Sequence, residues 1–318
     1  MNQPMNDTPT IALLSSVINM DYLLPALRAA CPGATLRTQP ELGPLQAIDA
    51  VVCWEPPHGL IAQMPNLQLV QSLGAGVDHI LGDPTLPDVP VCRIVDPDMA
   101  SGMQAYVVWA VTHQQRHMSA YLASATQRRW DAYPINPPRQ HRVGIAGLGT
   151  LGLACAQALQ AIGYAVRGWS RSAKAELPAG LQYFHGDAQR AEFLAGCDTL
   201  VCLLPLTPQT VGVLNAELFA QLPRGAQLIN VGRGDHLVEA DLLAALASGQ
   251  LASATLDALS VEPLPPSHPF WDQPNILITP HIATRTQTSV IAQQTLANLA
   301  HVRAGRAAEV AIDRQRGY

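Results

Sequence analysis

Short apolar runs rich in β-branched residues alternate along this chain with longer stretches whose apolar positions recur at helical spacing. In the first hundred residues, the runs 11–17, 50–54 and 69–73 predict buried strands. Helices are predicted over 22–30, ended by Pro32-Gly33, and near 59–64. Continuously apolar strands are covered on both faces, so the alternation predicts a parallel sheet between two layers of helices. After Pro97 the segment 99–123 carries one long helical pattern with Asp98 placed as its N-cap, and a loop rich in proline and arginine, 128–139, follows. A second alternation then begins. The runs 142–146, 165–169, 199–203, 227–230, 253–257 and 276–279 predict strands, with helices over 151–162, 216–221 and 239–248 among them. The final segment, 286–303, is again helical, and no short-period repeat or low-complexity tract interrupts the series.

Two alternations in 318 residues predict two domains, because this length exceeds the usual size of a single core. The expected fold class is α/β, with two doubly wound parallel-sheet domains. A composition of 48% hydrophobic and 14% charged residues leaves little room for a long disordered stretch. The net charge of −5 argues against a general affinity for nucleic acid or for acidic membrane surfaces. The longest apolar run, 199–206, is too short to span a bilayer and contains a proline. The polar residues 1–9 lack the basic region and apolar segment of a secretion signal. Cys31, Cys53, Cys92, Cys155, Cys197 and Cys202 form no CxxC pair, so core packing in a reducing compartment is expected, with no metal site. These features predict a soluble, cytoplasmic protein without a nucleic-acid or membrane partner.

Candidate chemistry begins at VGIAGLGTLG, residues 143–152, which sets GxGxxG at a strand-to-helix turn. Gly147, Gly149 and Gly152 are its glycines, with Leu148, Thr150 and Leu151 between them. In such a turn the first glycine permits the bend and the second lets a pyrophosphate approach the backbone. The third lets helix and strand pack closely, with the helix N-terminus facing the phosphates. Glycines also serve ordinary turns; here the flanking strand, the amphipathic helix and the next strand, ending at Trp169, supply the context of a dinucleotide site. An NAD enzyme usually carries a carboxylate after that next strand, for the ribose 2′-hydroxyl. This chain has Ser170-Arg171-Ser172 instead, with Lys174 beyond. A guanidinium and two hydroxyls suit a 2′-phosphate, so NADPH is the preferred cofactor and NAD the alternative. A solvated loop arginine is the plainer reading of Arg171.

Three later motifs each end a predicted strand: Asn230-Val231-Gly232-Arg233-Gly234, then Asp257 through Glu262-Pro263, then Thr279-Pro280-His281. Open α/β sheets bind ligands outside the carboxyl ends of their strands, so residues distant in sequence can converge there. Reducing a 2-oxo acid needs such a set. An arginine grips the carboxylate and polarises the carbonyl, an imidazolium supplies the proton, and a carboxylate beside it favours the charged ring. Taken singly, Arg233 could be a turn cation, Glu262 a solvated loop end and His281 a packed histidine. Their order after a dinucleotide motif favours the catalytic reading.

These motifs resemble those of the D-isomer-specific 2-hydroxyacid dehydrogenases, which carry GxGxxG, an NxGRG arginine, a glutamate before proline and a PH histidine. The resemblance covers essentially the whole chain. It implies Arg233, Glu262 and His281 as the catalytic residues and a Rossmann cofactor domain beside a flavodoxin-like substrate domain. It identifies Leu203 to Thr210, LLPLTPQT, with the family's cofactor loop, so that Leu204, Pro205 and Thr210 join Val231 and Gly232 in holding the cofactor. Asp257 is implied near the nicotinamide carboxamide. Leu73-Gly74-Ala75-Gly76-Val77-Asp78 matches the family's substrate loop, where the N–H groups of Ala75, Gly76 and Val77 would make a nest for the substrate carboxylate. Trp54-Glu55-Pro56-Pro57, Trp169 to Ser172 and the terminal Arg316-Gly317-Tyr318 resemble the glyoxylate/hydroxypyruvate reductase A subgroup. Trp54 either walls the substrate pocket or fills the core of the smaller domain. Ala258-Leu259 and Gln104-Ala105 depart from the family's usual residues, and both are read as packing changes.

The resemblance implies a discontinuous substrate domain, 1–97 with 286–318, and a dinucleotide-binding domain, 98–285, with the active site in the cleft between them. It also implies a homodimer contacted through the long helix after Pro97. The expected activity is reduction of a small 2-oxo acid of the glyoxylate or hydroxypyruvate type to the D-2-hydroxy acid. A dinucleotide-sensing protein without turnover is the alternative, and three intact catalytic residues argue against it. A formate-dehydrogenase-like activity is disfavoured because that subgroup has glutamine in place of Glu262.

Overall fold

A computed structural model describes residues 8–314; most of the polar start, and the Arg316-Gly317-Tyr318 motif, fall outside this range. The chain divides into two compact units, Met1–Pro97 with Arg285–Tyr318, and Asp98–Thr284. In the first unit, β1 (Thr10–Ser15), β2 (Thr35–Thr38), β3 (Ala50–Trp54), β4 (Leu69–Ser72) and β5 (Val91–Cys92) form a parallel sheet in the order β2-β1-β3-β4-β5. That is the flavodoxin-like order. The second unit contributes β6 (Arg142–Ala146), β7 (Ala165–Ser170), β8 (Gln182–His185), β9 (Thr199–Cys202), β10 (Ala226–Asn230), β11 (Leu251–Leu256) and β12 (Ile276–Ile278). They pair, all parallel, as β12-β11-β10-β9-β6-β7-β8. The order reverses direction between β6 and β9, the switch point at which open α/β sheets take their ligands.

Neighbouring residues of the central strands enter opposite faces. Leu200, Cys202 and Leu228 belong to one apolar cluster, and Ile145, Val201 and Ile229 to the other, all fully buried. Each such aliphatic side chain contributes about 1.5–3 kcal/mol by leaving water, which is why these strands are apolar without alternation. Strand register then decides where the motifs lie. Trp169, Ala146, Cys202, Asn230, Leu256 and Ile278 pair in one continuous row across six strands. The next residue of each strand, or of the loop it enters, belongs to a motif: Ser170, Gly147, Leu203, Val231, Asp257 and Thr279. One sheet edge therefore carries all six.

Several predicted elements are shorter or broken. β1 stops at Ser15, whose hydroxyl accepts the N–H groups of Val17 and Ile18 and turns the chain out. Only a single 3-10 turn, Ile61–Gln63, stands where a helix near 59–64 is expected. The long helical pattern is two helices, Pro97–Gln115 and Met118–Thr126, separated where His117 adopts a left-handed φ of 56°. The first begins at Pro97, whose fixed φ suits a first turn, so Asp98 lies inside that turn instead of capping it. The edge strands β2, β5 and β8 escape the pattern because they are short, and β2 and β8 are largely half-exposed or exposed. All six cysteines are free and five are buried. Among the described residues, no helix is long and apolar enough to cross a membrane.

Candidate active site

The glycine turn after β6 is built by close approaches. Gly147 has a φ of 104°, and a Cβ there would lie 2.5 Å from the Leu203 carbonyl oxygen. At Gly152 a Cβ would come within 1.9 Å of the Gly147 carbonyl oxygen, so the helix Thr150–Ile162 can sit this close only with hydrogen at that position. Gly149 differs. Nothing lies within 4 Å of the place its Cβ would occupy, so open space borders the helix N-terminus, whose first turn carries no acidic residue. An N-terminus with exposed N–H groups and open space beside a glycine fits a pyrophosphate. Leu148 is buried inside the turn, Thr150 is exposed and Leu151 half-buried.

At the end of β7, the Ser170 hydroxyl bonds the Ser172 carbonyl and the Tyr183 hydroxyl, both at 2.9 Å. Ser170 is therefore engaged in shaping this turn, while Arg171 and Ser172 are exposed on it. After β9, the Thr210 hydroxyl donates to the Pro205 carbonyl at 2.7 Å and accepts the Thr207 N–H at 2.8 Å, closing the loop that holds Leu204 and Pro205.

The three charged candidates come together on the same edge. His281 Nδ1 lies 2.9 Å from Glu262 Oε2 and 3.2 Å from Oε1, and the Leu259 N–H donates to Oε1 at 2.9 Å. Burial alone pushes the Glu262 carboxyl up. The hydrogen bonds from His281 and Leu259, with the charges of His281 and Arg233, outweigh it and hold the carboxyl below its ordinary value. Glu262 is thus an anion at neutral pH beside the imidazole, and Arg233 is near enough for its charge to act on it. The arginine loop reaches this place because Gly234 lies directly against the Leu259-Ser260 backbone, where a Cβ would stand 1.9 Å from the Leu259 carbonyl carbon. Val231 is buried, and the Gly232 N–H donates to Asn230 Oδ1 at 3.2 Å.

His281 itself has a left-handed φ of 51°, unusual for a residue with a side chain. Asp257 holds it there. Its Oδ1 accepts the Thr279 hydroxyl at 2.6 Å and the Ile282 N–H at 2.8 Å, and its Oδ2 accepts the Ala283 N–H at 2.8 Å. The Asp257 carbonyl accepts the His281 N–H at 3.0 Å. Asp257, expected beside the nicotinamide, has its carboxylate engaged in bracing the histidine turn. Tyr106 extends the brace, its hydroxyl 2.5 Å from Thr279 Oγ1.

The other expected substrate residues lie in the first unit. Trp54 ends β3, half-buried, with its ring centroid 4.5 Å from that of His79 and its edge 3.5 Å from where a Gly74 Cβ would stand. It therefore lies over the loop that holds Ala75, Gly76 and Val77. The Ser72 hydroxyl shapes that loop, donating to the Gly76 carbonyl at 2.7 Å and accepting the Gly74 N–H at 3.2 Å.

Residues 108–283 match the family model described as D-isomer specific 2-hydroxyacid dehydrogenase, NAD binding domain. The chain belongs to this dehydrogenase family. It is 44% identical to glyoxylate/hydroxypyruvate reductase A of Serratia proteamaculans, over 94% of this chain and 97% of that one. Its fold matches a D-isomer specific 2-hydroxyacid dehydrogenase from Xanthobacter autotrophicus, solved with NADPH and MES. The TM-score is 0.90 at 41% identity, over 98% of this chain and 100% of that one. It also matches an NADPH-dependent glyoxylate/hydroxypyruvate reductase from Sinorhizobium meliloti, solved with NADP and sulfate, with a TM-score of 0.89 at 36% identity, covering 98% and 100%.

The candidate site is braced by a residue that sequence reasoning missed. Tyr106 reaches Thr279 of the histidine motif only through tertiary packing, 173 positions apart. His236 sits two residues after the GRG motif, and nothing in that spacing tells a packed histidine from one serving the site. Among the residues of the two departures from the family's pattern, Ala105 is exposed, while the others are engaged in packing. Gln104 donates to the Ala154 carbonyl of the helix after the glycine turn at 2.9 Å, and Ala258 and Leu259 are buried.

Proposed function

We propose that this dehydrogenase reduces a small 2-oxo acid of the glyoxylate or hydroxypyruvate type to the D-2-hydroxy acid, using NADPH in preference to NADH. The observation that carries the reading is the His281–Glu262 pair at 2.9 Å with the Arg233 charge acting on it. Similarity to reductases of that name, one solved with NADP, supports the substrate and cofactor. Arg233 orients the 2-oxo acid by its carboxylate and polarises the carbonyl. Glu262 accepts the Nδ1 proton of His281 in a hydrogen bond and favours the charged ring, which delivers its Nε2 proton to the carbonyl oxygen. NADPH, held by the residues assigned to it, would supply the hydride for C2. Gly147 to Gly152 with Leu204, Pro205, Thr210, Val231, Gly232 and Asp257 are assigned to the cofactor, and Trp54, Ala75, Gly76 and Val77 to the substrate.

The test is a panel of 2-oxo acids with NADPH and NADH, following loss of reduced-nicotinamide absorbance in the parent and in Arg171→Ala. Loss of a charge-assisted bond to the 2′-phosphate costs about 1–3 kcal/mol, so Arg171→Ala should raise KM for NADPH at least severalfold and leave that for NADH nearly unchanged. A parent enzyme that favours NADH would overturn the cofactor assignment, and no turnover with any 2-oxo acid would overturn the activity. A cytoplasmic homodimer is also proposed. Its support is the exposed apolar set Leu122 (60%), Trp130 (101%) and Ile135 (57%) after the long helix, and six free cysteines suited to a reducing compartment. Trp130→Glu should shift the mass in light scattering to that of one chain.

A further inference from the structure

We propose that His236 is a positioning residue, one imidazole that sets both the backbone of Arg233 and the Leu204-Pro205 loop. This rests on the reading of Arg233 as a substrate ligand and of that loop as a cofactor ligand. His236 is wholly buried, in the 3-10 turn Gly234–His236 that follows the arginine. Its Nδ1 accepts the Arg233 N–H at 3.0 Å, and its Nε2 lies 3.3 Å from the Pro205 carbonyl. Gly232 lies flat against the ring; a Cβ there would stand 3.0 Å from both Cε1 and Nδ1 and 3.2 Å from the Leu204 carbonyl oxygen. The Cys202 thiol is 3.9 Å from Nδ1.

These partners dictate the chemistry of the ring. A backbone N–H only donates, so Nδ1 carries a lone pair. A carbonyl only accepts, so Nε2 carries the proton. The ring is therefore the neutral Nε2–H tautomer. In the neutral ring the two nitrogens share one proton and one rigid plane, so an acceptor at Nδ1 makes Nε2 the donor. The loops it joins leave adjacent strands, β9 and β10, and the expected cofactor and substrate ligands stand on them. Gly232 as glycine completes the arrangement, since a side chain there would push the ring away.

The two ring nitrogens can be separated by substitution. Asparagine puts a carbonyl oxygen near the place of Nδ1 but falls short of Pro205. The longer glutamine amide can donate to Pro205 and leaves the Arg233 N–H unmet. One hydrogen bond is worth about 0.5–1.5 kcal/mol, or roughly 2- to 10-fold in affinity. His236→Asn should therefore keep KM for glyoxylate within about twofold and weaken NADPH binding, measured by equilibrium fluorescence titration, roughly 2- to 10-fold. His236→Gln should do the reverse, and His236→Phe should weaken both. Nitrogen-15 NMR of the histidines in the free enzyme should show a His236 resonance of the Nε2–H tautomer. Equal effects of Asn and Gln on the two ligands, or a proton found on Nδ1, would overturn the proposal. If a variant fails to fold, the tautomer decides alone. A parent that binds NADPH but turns over no 2-oxo acid would refute the assigned activity and leave the tautomer and NADPH-binding results to judge His236.

Discussion

Glu262→Gln keeps the shape of the side chain beside His281 and removes its charge. In the parent the two groups are 2.9 Å apart, and each side chain is about one-third exposed. Unit charges with centres about 4 Å apart interact by about 1 kcal/mol in water and about 4 kcal/mol at the effective dielectric of a protein surface. With this much solvent access, the lower part of that range applies, about 1–2 kcal/mol. Each 1.4 kcal/mol is about tenfold in rate, so kcat of the variant should fall roughly 5- to 30-fold. The direction follows from removing the negative charge beside the proton-donating imidazole. There is also a structural cost. Oε2 meets His281 and Oε1 meets the Leu259 N–H, so a glutamine turns one of these contacts into donor against donor. The assay is kcat at neutral pH with saturating NADPH and glyoxylate, in parent and variant. A variant kcat within about twofold of the parent's would refute the pairing. On the acid side, the depressed Glu262 carboxyl contributes stability that is present above the ordinary carboxylate range and is lost as the pH falls through its lowered value. Thermal melts of the variant should lack that part of the acid dependence.

Arg233→Lys keeps the charge but not the planar fork, so KM for the 2-oxo acid should rise on the order of 10-fold; unchanged steady-state kinetics would remove the bidentate role. Asp257→Asn should set an amide N–H against one of the three donors it now receives, lowering stability by about 1–3 kcal/mol in denaturant melts and reducing kcat as the His281 turn loosens. Full turnover in Asp257→Asn would show that the turn holds without the carboxylate. Gly149→Ala and Gly152→Ala should separate binding from folding. The first meets nothing within 4 Å and should weaken only the dinucleotide, whereas the second meets the Gly147 carbonyl at 1.9 Å and should destabilise the protein by about 1–3 kcal/mol. Equal melting of the two would contradict this division.

The central strands and the motif order were legible in the sequence because both are local. A strand buried on two faces must be apolar at every position, and GxGxxG, GRG, EP and PH are recognisable without their surroundings. The chain also announced the absence of a carboxylate after β7, since Ser170, Arg171 and Ser172 stand where the acid would be. What stayed hidden depends on neighbours far along the chain. Apolar spacing continues through residues 99–123, yet His117 breaks the helix, because periodicity records which face is buried and not whether the backbone bends. Asp257 and His236 gave the same difficulty from the side of function. A carboxylate and an imidazole each have several uses, and only the partners brought within hydrogen-bond reach choose among them. Three donors around Asp257 make it the brace of the His281 turn, and the Arg233 N–H at Nδ1 with the Pro205 carbonyl beside Nε2 set the tautomer of His236. The sequence by itself determined which residues end the strands; the register of six parallel strands, a property of their packing against one another, decided that those ends meet along one edge.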